Sequence, residues 1–174
     1  DFPHAIYGSC NPYFVDVGLK IGGHNFFKYF TGFGFTQKTG IDMMGEQTPS
    51  TMLYHSEEKL SNPLSQSYLA TSSFGQTFKV SPIQMITAMS AVANGGKLMQ
   101  PYVVQKILDG DGNVVENITP TVKRQVISEE TAKRVAAMLD TAVNTGSKNA
   151  YVAGYRVAGK TGTSEKRDIK VEAG

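Results

Sequence analysis

The stretch "SPIQMITAMSAVANGG", Ser81 to Gly96, leaves the chain the least freedom. Ser81 offers a hydroxyl cap, Pro82 suits a first helical turn, and Asn94-Gly95-Gly96 stops the helix. Ile83, Ile86, Met89, Ser90 and Ala93 recur at helical spacing and line one face. A second strong helix is predicted over Ser128 to Gly146, "SEETAKRVAAMLDTAVNTG". Ser128 with Thr131 makes an imperfect capping box, and Glu129 and Glu130 suit the positive end of the helix dipole. Between the two, "YVVQKIL" and "VVENI" flank "DGDGN", the pattern of a β-hairpin. The fold class that results is α+β and mostly helical.

Upstream, "NPYFVDVGLKIG" spaces Phe14, Val17 and Ile21 as a helix does, with Asn11 as cap and Pro12 in the first turn. Ser9-Cys10-Asn11 therefore falls at a loop-to-helix junction. "NFFKYFTGFGF" predicts a further short helix closed by Gly32 and Gly34. From Gly40 to Gly75, Ser, Thr, Pro and Gly abound with little periodicity, which predicts a long irregular segment. "YRVAGKTGTS", near the end, is strand-like around Val157.

Several function classes drop out. A net charge of +2 over 174 residues, with no Lys/Arg cluster, gives no case for nucleic acid or for a polybasic membrane patch. No apolar run approaches the roughly 20 residues that span a bilayer. No signal peptide is visible and the chain does not open on Met, so a piece of a longer protein is expected. A single cysteine, Cys10, excludes an internal disulfide and a Cys-rich metal site. "DGDGNVVENITP" starts like a calcium loop, but Val114 stands where Gly is needed and Pro120 where Glu is needed. His4, His24 and His55 lack paired ligand spacing. Neither a metal nor an organic cofactor is expected.

The triplet Lys-Thr-Gly occurs twice. Lys38-Thr39-Gly40 leads into "IDMMGE" and is read as a loop turn that brings Ile41 and Met43 onto the body. Lys160-Thr161-Gly162 follows the strand-like segment. There a missing side chain at Gly162 gives a substrate clearance, and Thr163 presents a hydroxyl and a backbone N–H. A Ser-x-x-Lys nucleophile would need a lysine desolvated beside the serine hydroxyl. The one such string, "SEEK" from Ser56 to Lys59, looks exposed, carries two glutamates, and follows Ser9-Cys10-Asn11 in the chain. It is not expected to be a nucleophile.

"SCNPYFVDVGLKIG", "FGFTQKTGIDMMGE", "FGQTFKVSPIQMITAMSAVANGGKLMQPYVV" and "AGKTGTSEK" together resemble the transpeptidase domain of class B penicillin-binding proteins. They follow one another in family order and cover most of the chain. The resemblance extends to sporulation and elongation types without choosing between them. It implies a penicillin-binding-protein/β-lactamase-like fold, present over residues 1–174 as a partial domain. The Ser-x-x-Lys helix would lie upstream of Asp1, and the strands and helix that follow the KTG strand would be lacking. The strand holding Lys160 would then have lost one pairing neighbour.

The resemblance further implies a peptidoglycan D,D-transpeptidase. In such enzymes a serine attacks the penultimate D-Ala carbonyl of a stem peptide, D-Ala leaves, and a neighbouring amine resolves the acyl-enzyme. β-Lactams mimic D-Ala-D-Ala. By position, Ser9 would relay a proton near the leaving group. Asn11 would bond the substrate amide, and Lys160 would supply positive charge. Thr161, Gly162 and Thr163 would line the substrate, with the Thr163 hydroxyl on its carboxylate and its N–H in an oxyanion hole. No nucleophile is expected within the chain, which is therefore expected to be inactive alone. The implied partners are stem peptides, β-lactams and other cell-wall synthesis proteins, at the outer face of the cytoplasmic membrane behind an upstream anchor. A D,D-carboxypeptidase, a β-lactam sensor and a non-catalytic scaffold remain as alternatives. Asn11 argues against the sensor, whose relatives place an aliphatic residue there.

Overall fold

The structure, a computed structural model, describes residues 1–146 and 148–163. Among these residues six α-helices run in order: α1 (Phe2–Tyr7), α2 (Asn11–Gly32), α3 (Glu57–Ser61), α4 (Gln66–Ser73), α5 (Pro82–Ala93) and α6 (Glu129–Thr145). Four short strands, β1 (Lys97–Gln100), β2 (Lys106–Leu108), β3 (Val114–Asn117) and β4 (Thr121–Gln125), lie between α5 and α6. They form two antiparallel pairs, β1 with β4 and β2 with β3. The class is α+β, mixed helices with small antiparallel sheets. No described helix is long and apolar enough to cross a membrane.

The two helices predicted between Asn11 and Gly34 are halves of α2, bent where Gly22 leaves helical geometry at φ 80° and ψ 156°. Where α2 comes closest to α3 and α4 it carries glycine. A Cβ on Gly18 would overlap the Ser73 side chain, and one on Gly23 would overlap the Leu60 carbonyl. Ile21, the last of the three apolar residues at helical spacing, is exposed. Past the bend, Phe30 is buried, with its ring centroid 5.1 Å from Phe35, 5.2 Å from Phe78 and 5.8 Å from Tyr54. Residues 57–73, expected to be irregular, hold α3 and α4. Both are too short to show a period, and only α3 starts on a side-chain cap: the Ser56 hydroxyl accepts from the Lys59 N–H at 3.3 Å.

Helix α5 has the predicted ends, and the face it buries is not the one that Ile86 and Met89 line. Gln84, Thr87, Ala88 and Ala91 are buried, while Met85 is 42 %, Ile86 59 % and Met89 38 % exposed. Small residues face β1 and α6 because those elements come close. Gln84 is buried for its hydrogen bonds. Its Oε1 accepts from the Ser81 N–H at 2.9 Å, completing a capping box, and its Nε2 reaches the Gly34, Phe35 and Gln37 carbonyls at 3.0–3.2 Å. One amide thus joins the start of α5 to the turn after α2.

The hairpin forms as expected. The Asp109 carboxylate closes its turn by accepting from the Asp111 and Asn113 N–H groups, both at 2.9 Å. The first Lys-Thr-Gly is a structural turn. Glu46 accepts from the Thr39 N–H and hydroxyl at 2.6 and 2.7 Å and from the Gly40 N–H at 3.0 Å. The Lys123 ammonium donates to the Thr39 carbonyl at 2.9 Å, and Asp42 accepts from the Val103 and Val104 N–H groups at 2.8 Å each. These polar groups fasten the loop, whereas Met43, expected to pack, is exposed.

The segment over 151–163 departs from expectation, since no strand is formed there and Lys160 lies in unpaired extended chain. The expected strand needs a neighbour to hydrogen-bond with, and none of the described strands lies beside it. Ser164 to Lys166 of the quoted motif, and the residues after them, lie outside the described residues.

Two predictions follow from these contacts. Gly23→Ala forces α2 away from the Leu60 backbone and lowers stability by about 2 kcal/mol in urea titration. Gly110→Ala, with open space around it, leaves stability unchanged within about 0.5 kcal/mol. The second concerns pH. The Val104 and Val103 N–H groups hold the Asp42 carboxyl low. Desolvation pushes Glu46 upward, but the Thr39 and Gly40 bonds outweigh it and hold Glu46 low as well. Folded values below unfolded ones mean stability that is complete above roughly pH 5 and lost as pH falls through the folded values. Glu46→Gln therefore flattens the decline in urea midpoint between about pH 5 and pH 3. Equal slopes for the two proteins would count against the Glu46 cap.

Candidate active site

A cleft of about 790 Å³ is lined by Ser9, Asn11, Phe14, residues 73–76 and residues 160–163. It brings together every residue singled out from the second Lys-Thr-Gly and from Ser9-Cys10-Asn11. It also contains residues that the sequence did not single out: Phe14, Ser73, Phe74, Gly75 and Gln76. Phe14 lies on α2, and the others sit at the end of α4 and in the turn after it, in or directly beside the stretch read as irregular. The signal available for them was "FGQ", a glycine before a polar side chain in a turn.

Ser9 is delivered by the end of α1. The Gly8, Ser9 and Cys10 N–H groups bond the His4, Ile6 and Ala5 carbonyls at 2.9, 3.2 and 3.0 Å. Ser9 itself has φ 49°, in the left-handed region, which reverses the chain so that α2 can start. Cys10, not Asn11, occupies the cap position of α2, and its side chain makes no capping bond. Asn11 is therefore the first helical residue and, unlike a cap, is exposed on the cleft. One turn later Phe14 adds an apolar wall.

The other wall is the extended segment over 157–163. One tie to the body is the Gly159 N–H, which bonds the Leu139 carbonyl of α6 at 3.3 Å. Nearby, Arg156 pairs with Asp140 on the same helix, Nη2 to Oδ2 at 3.2 Å. Lys160 then turns into the cleft. Its ammonium donates to the Ser9 hydroxyl, and to the Thr161 carbonyl and hydroxyl at 3.1 Å each. All these partners are neutral, so its charge is not cancelled by any described carboxylate. Gly162 has open space where a side chain would stand. Thr163 ends the described wall, its carbonyl accepting from Gln76 Nε2 at 3.0 Å.

Such an arrangement suits a ligand that carries a carboxylate and peptide groups. An ammonium and hydroxyls can take the anion, while Asn11 and an unpaired extended backbone can take amides. Ser56 is not among these lining residues. It caps α3, and the Lys59 ammonium lies 3.9 Å from the Tyr68 ring centroid. Among the described residues no cluster of His, Cys, Asp and Glu could hold a metal.

Comparison with known proteins gives a consistent result. The family model for the penicillin binding protein transpeptidase domain matches residues 1–173. Stage V sporulation protein D of Bacillus subtilis is 45 % identical over 164 residues, covering 93 % of this chain and 24 % of that protein. The probable peptidoglycan D,D-transpeptidase FtsI of Caulobacter vibrioides is 30 % identical, covering 86 % of this chain and 23 % of its own length. The chain thus spans about a quarter of these relatives. Among solved structures, the D,D-transpeptidase domain of a peptidoglycan glycosyltransferase from Eggerthella lenta superposes with TM-score 0.81 at 30 % identity, over 95 % of this chain and 42 % of that one. Penicillin binding protein 3 from Mycobacterium tuberculosis, complexed with ampicillin, gives 0.83 at 27 % identity, over 96 % and 37 %.

The backbone of Ser9 yields a prediction that separates conformation from chemistry. Ser9→Ala and Ser9→Gly both lose the hydroxyl. The glycine variant is expected to be the more stable of the two by about 1 kcal/mol in urea titration, because it alone is unstrained at φ 49°. An alanine variant as stable as the glycine variant would mean that Ser9 is not held left-handed in solution.

Proposed function

The chain belongs to the transpeptidase-domain family of penicillin-binding proteins, and from that premise we propose that its cleft is the substrate-holding part of a peptidoglycan D,D-transpeptidase. The observation that carries this reading is the contact between the Lys160 ammonium and the Ser9 hydroxyl, made across 151 positions of sequence. Lys160 supplies the charge that receives the terminal carboxylate of a stem peptide ending in D-Ala-D-Ala, helped by the hydroxyls of Thr161 and Thr163. Asn11 bonds the peptide amide. Gly162 lets the peptide lie close to the extended segment. Ser9, polarised by Lys160, passes a proton to the departing D-Ala amine. The Thr163 N–H helps hold the oxyanion as the carbonyl is attacked.

The attacking serine, in this reading, comes from outside these 174 residues, which form one part of a transpeptidase domain. Ser56 is exposed, caps a helix and does not line the cleft. By itself the chain holds substrate and β-lactam but does not turn either over. The whole protein would work at the outer face of the cytoplasmic membrane, with other cell-wall synthesis proteins. A carboxypeptidase would use the same groups with water as acceptor, and the cleft offers nothing that favours it.

Titration of the labelled chain with N-acetyl-D-Ala-D-Ala is the test. Binding is expected on the order of millimolar, with shifts at Ser9, Asn11 and 161–163. It should weaken about tenfold or more in Lys160→Met, as loss of a charge-assisted contact requires. The C-terminally amidated dipeptide should not bind. Incubation with a reactive penicillin should leave the intact mass unchanged. A covalent adduct mapped to Ser9 or Ser56 would overturn the assignment of roles.

A further inference from the structure

The cleft has a second strained corner besides Ser9. Gly75 has φ 86° and Thr77 φ 66°, and Gln76 stands between them. Glycine adopts that conformation freely, but for a β-branched residue it is a steric outlier. Thr77 is kept there by side-chain contacts. Its hydroxyl lies 3.0 Å from the Thr71 hydroxyl and 3.4 Å from that of Ser72. The Gln76 N–H bonds the Thr71 carbonyl at 3.0 Å. The backbone on both sides of Gln76 is thus fixed to the last turn of α4. That turn is itself seated on α2, where Ser73 meets Gly18.

From this base the Gln76 side chain, half-buried, crosses the cleft to the Thr163 carbonyl. The wall it reaches has few other supports. The described tethers of 157–163 to the body are Gly159 to Leu139, Lys160 to Ser9, and Gln76 to Thr163. An extended segment without a ladder has peptide planes free to rotate. A donor of fixed position at one carbonyl sets the plane of that peptide. The allowed φ/ψ region of the residue then limits the plane before it. Backbone strain of the kind seen at Thr77 persists where the surroundings over-determine it, and such places gather at functional sites.

We infer that Gln76 is a positioning residue: its amide does the work of a ladder hydrogen bond at Thr163 and so aims the Thr163 N–H and hydroxyl into the cleft. The inference rests on the reading of this cleft as the substrate-holding site. It differs from that reading in giving a task to the turn after α4, which no motif around Ser9 or Lys160 implies. Gln76→Glu is the informative change. It keeps the size and reach of the side chain but leaves an ionised carboxylate with no proton to donate.

The experiment compares wild type, Gln76→Glu and Gln76→Ala in the full chain. The readouts are the Thr163 carbonyl carbon shift, the affinity for N-acetyl-D-Ala-D-Ala, and the urea midpoint. Both variants are expected to move the Thr163 carbonyl resonance and weaken the dipeptide about five- to tenfold, the range of one hydrogen bond. The urea midpoint of Gln76→Glu should stay at the wild-type value. An unmoved Thr163 resonance would overturn the inference. A moved resonance with undiminished affinity would overturn it too, because Gln76 would then brace the chain without serving the site. If wild type binds no dipeptide while the resonance moves in both variants, the tether stands and the functional reading of the cleft falls.

Discussion

Helix α6 is the common support on which the two halves of the cleft depend. One of its faces receives α1, where Ala5 and Ile6 are buried, and α1 ends in the turn that presents Ser9. The Leu139 carbonyl receives the Gly159 N–H, and Val143, almost wholly buried, sits against Gly159. Lys160 is the next residue. Ser9 and Lys160 therefore meet because both are hung from neighbouring turns of one rigid helix. A 17-residue helix with a capped start is a better ruler than any loop, since its backbone bonds fix the spacing of everything docked on it.

The opposite side of the cleft depends on close approach, not on a ruler. Gly18 and Gly23 remove the side chains that would hold α2 apart from α4 and α3. The end of α4 thereby comes level with the start of α2, and residues 73–76 face Asn11 and Phe14 across the opening. Two non-glycine residues in left-handed conformation, Ser9 and Thr77, stand at the edges of this space. Each costs on the order of 1–2 kcal/mol in local strain. Each is held by bonds to the preceding helix, which places the cost at the turns that shape the cleft.

The legible parts of the sequence were those governed by neighbours along the chain. Ser81 and Ser128 cap helices, Gly95 and Gly96 end one, and the Asp109 turn closes a hairpin. The buried face of α5 was not legible, because periodicity reports where apolar residues lie, while burial follows how near the partner comes. β1 and α6 come near enough to prefer Ala88, Ala91 and Thr87 to Ile86 and Met89. Gln84 could not be recognised as core, since its partners are three carbonyls about fifty positions earlier. α4 was missed because eight residues without a clear apolar stripe carry little periodic signal. The strand expected at Lys160 required a ladder partner, which local alternation cannot supply.

By itself the sequence determined the α+β class, the ends of its main helices, and the types of polar residue that the cleft gathers: a lysine, hydroxyls, an asparagine and a glycine. Each follows from local conformational preference or from side-chain chemistry, which need no knowledge of distant residues. Tertiary structure alone decided that the first Lys-Thr-Gly is a turn fastened by Glu46 and Lys123 while the second faces a cleft. It alone brought Lys160 to Ser9 and Gln76 to Thr163. The two triplets are identical in sequence, so only the elements packed around them could give them different tasks. Contacts spanning 151 and 87 positions arise from the docking of α1 on α6 and α4 on α2, not from any local pattern.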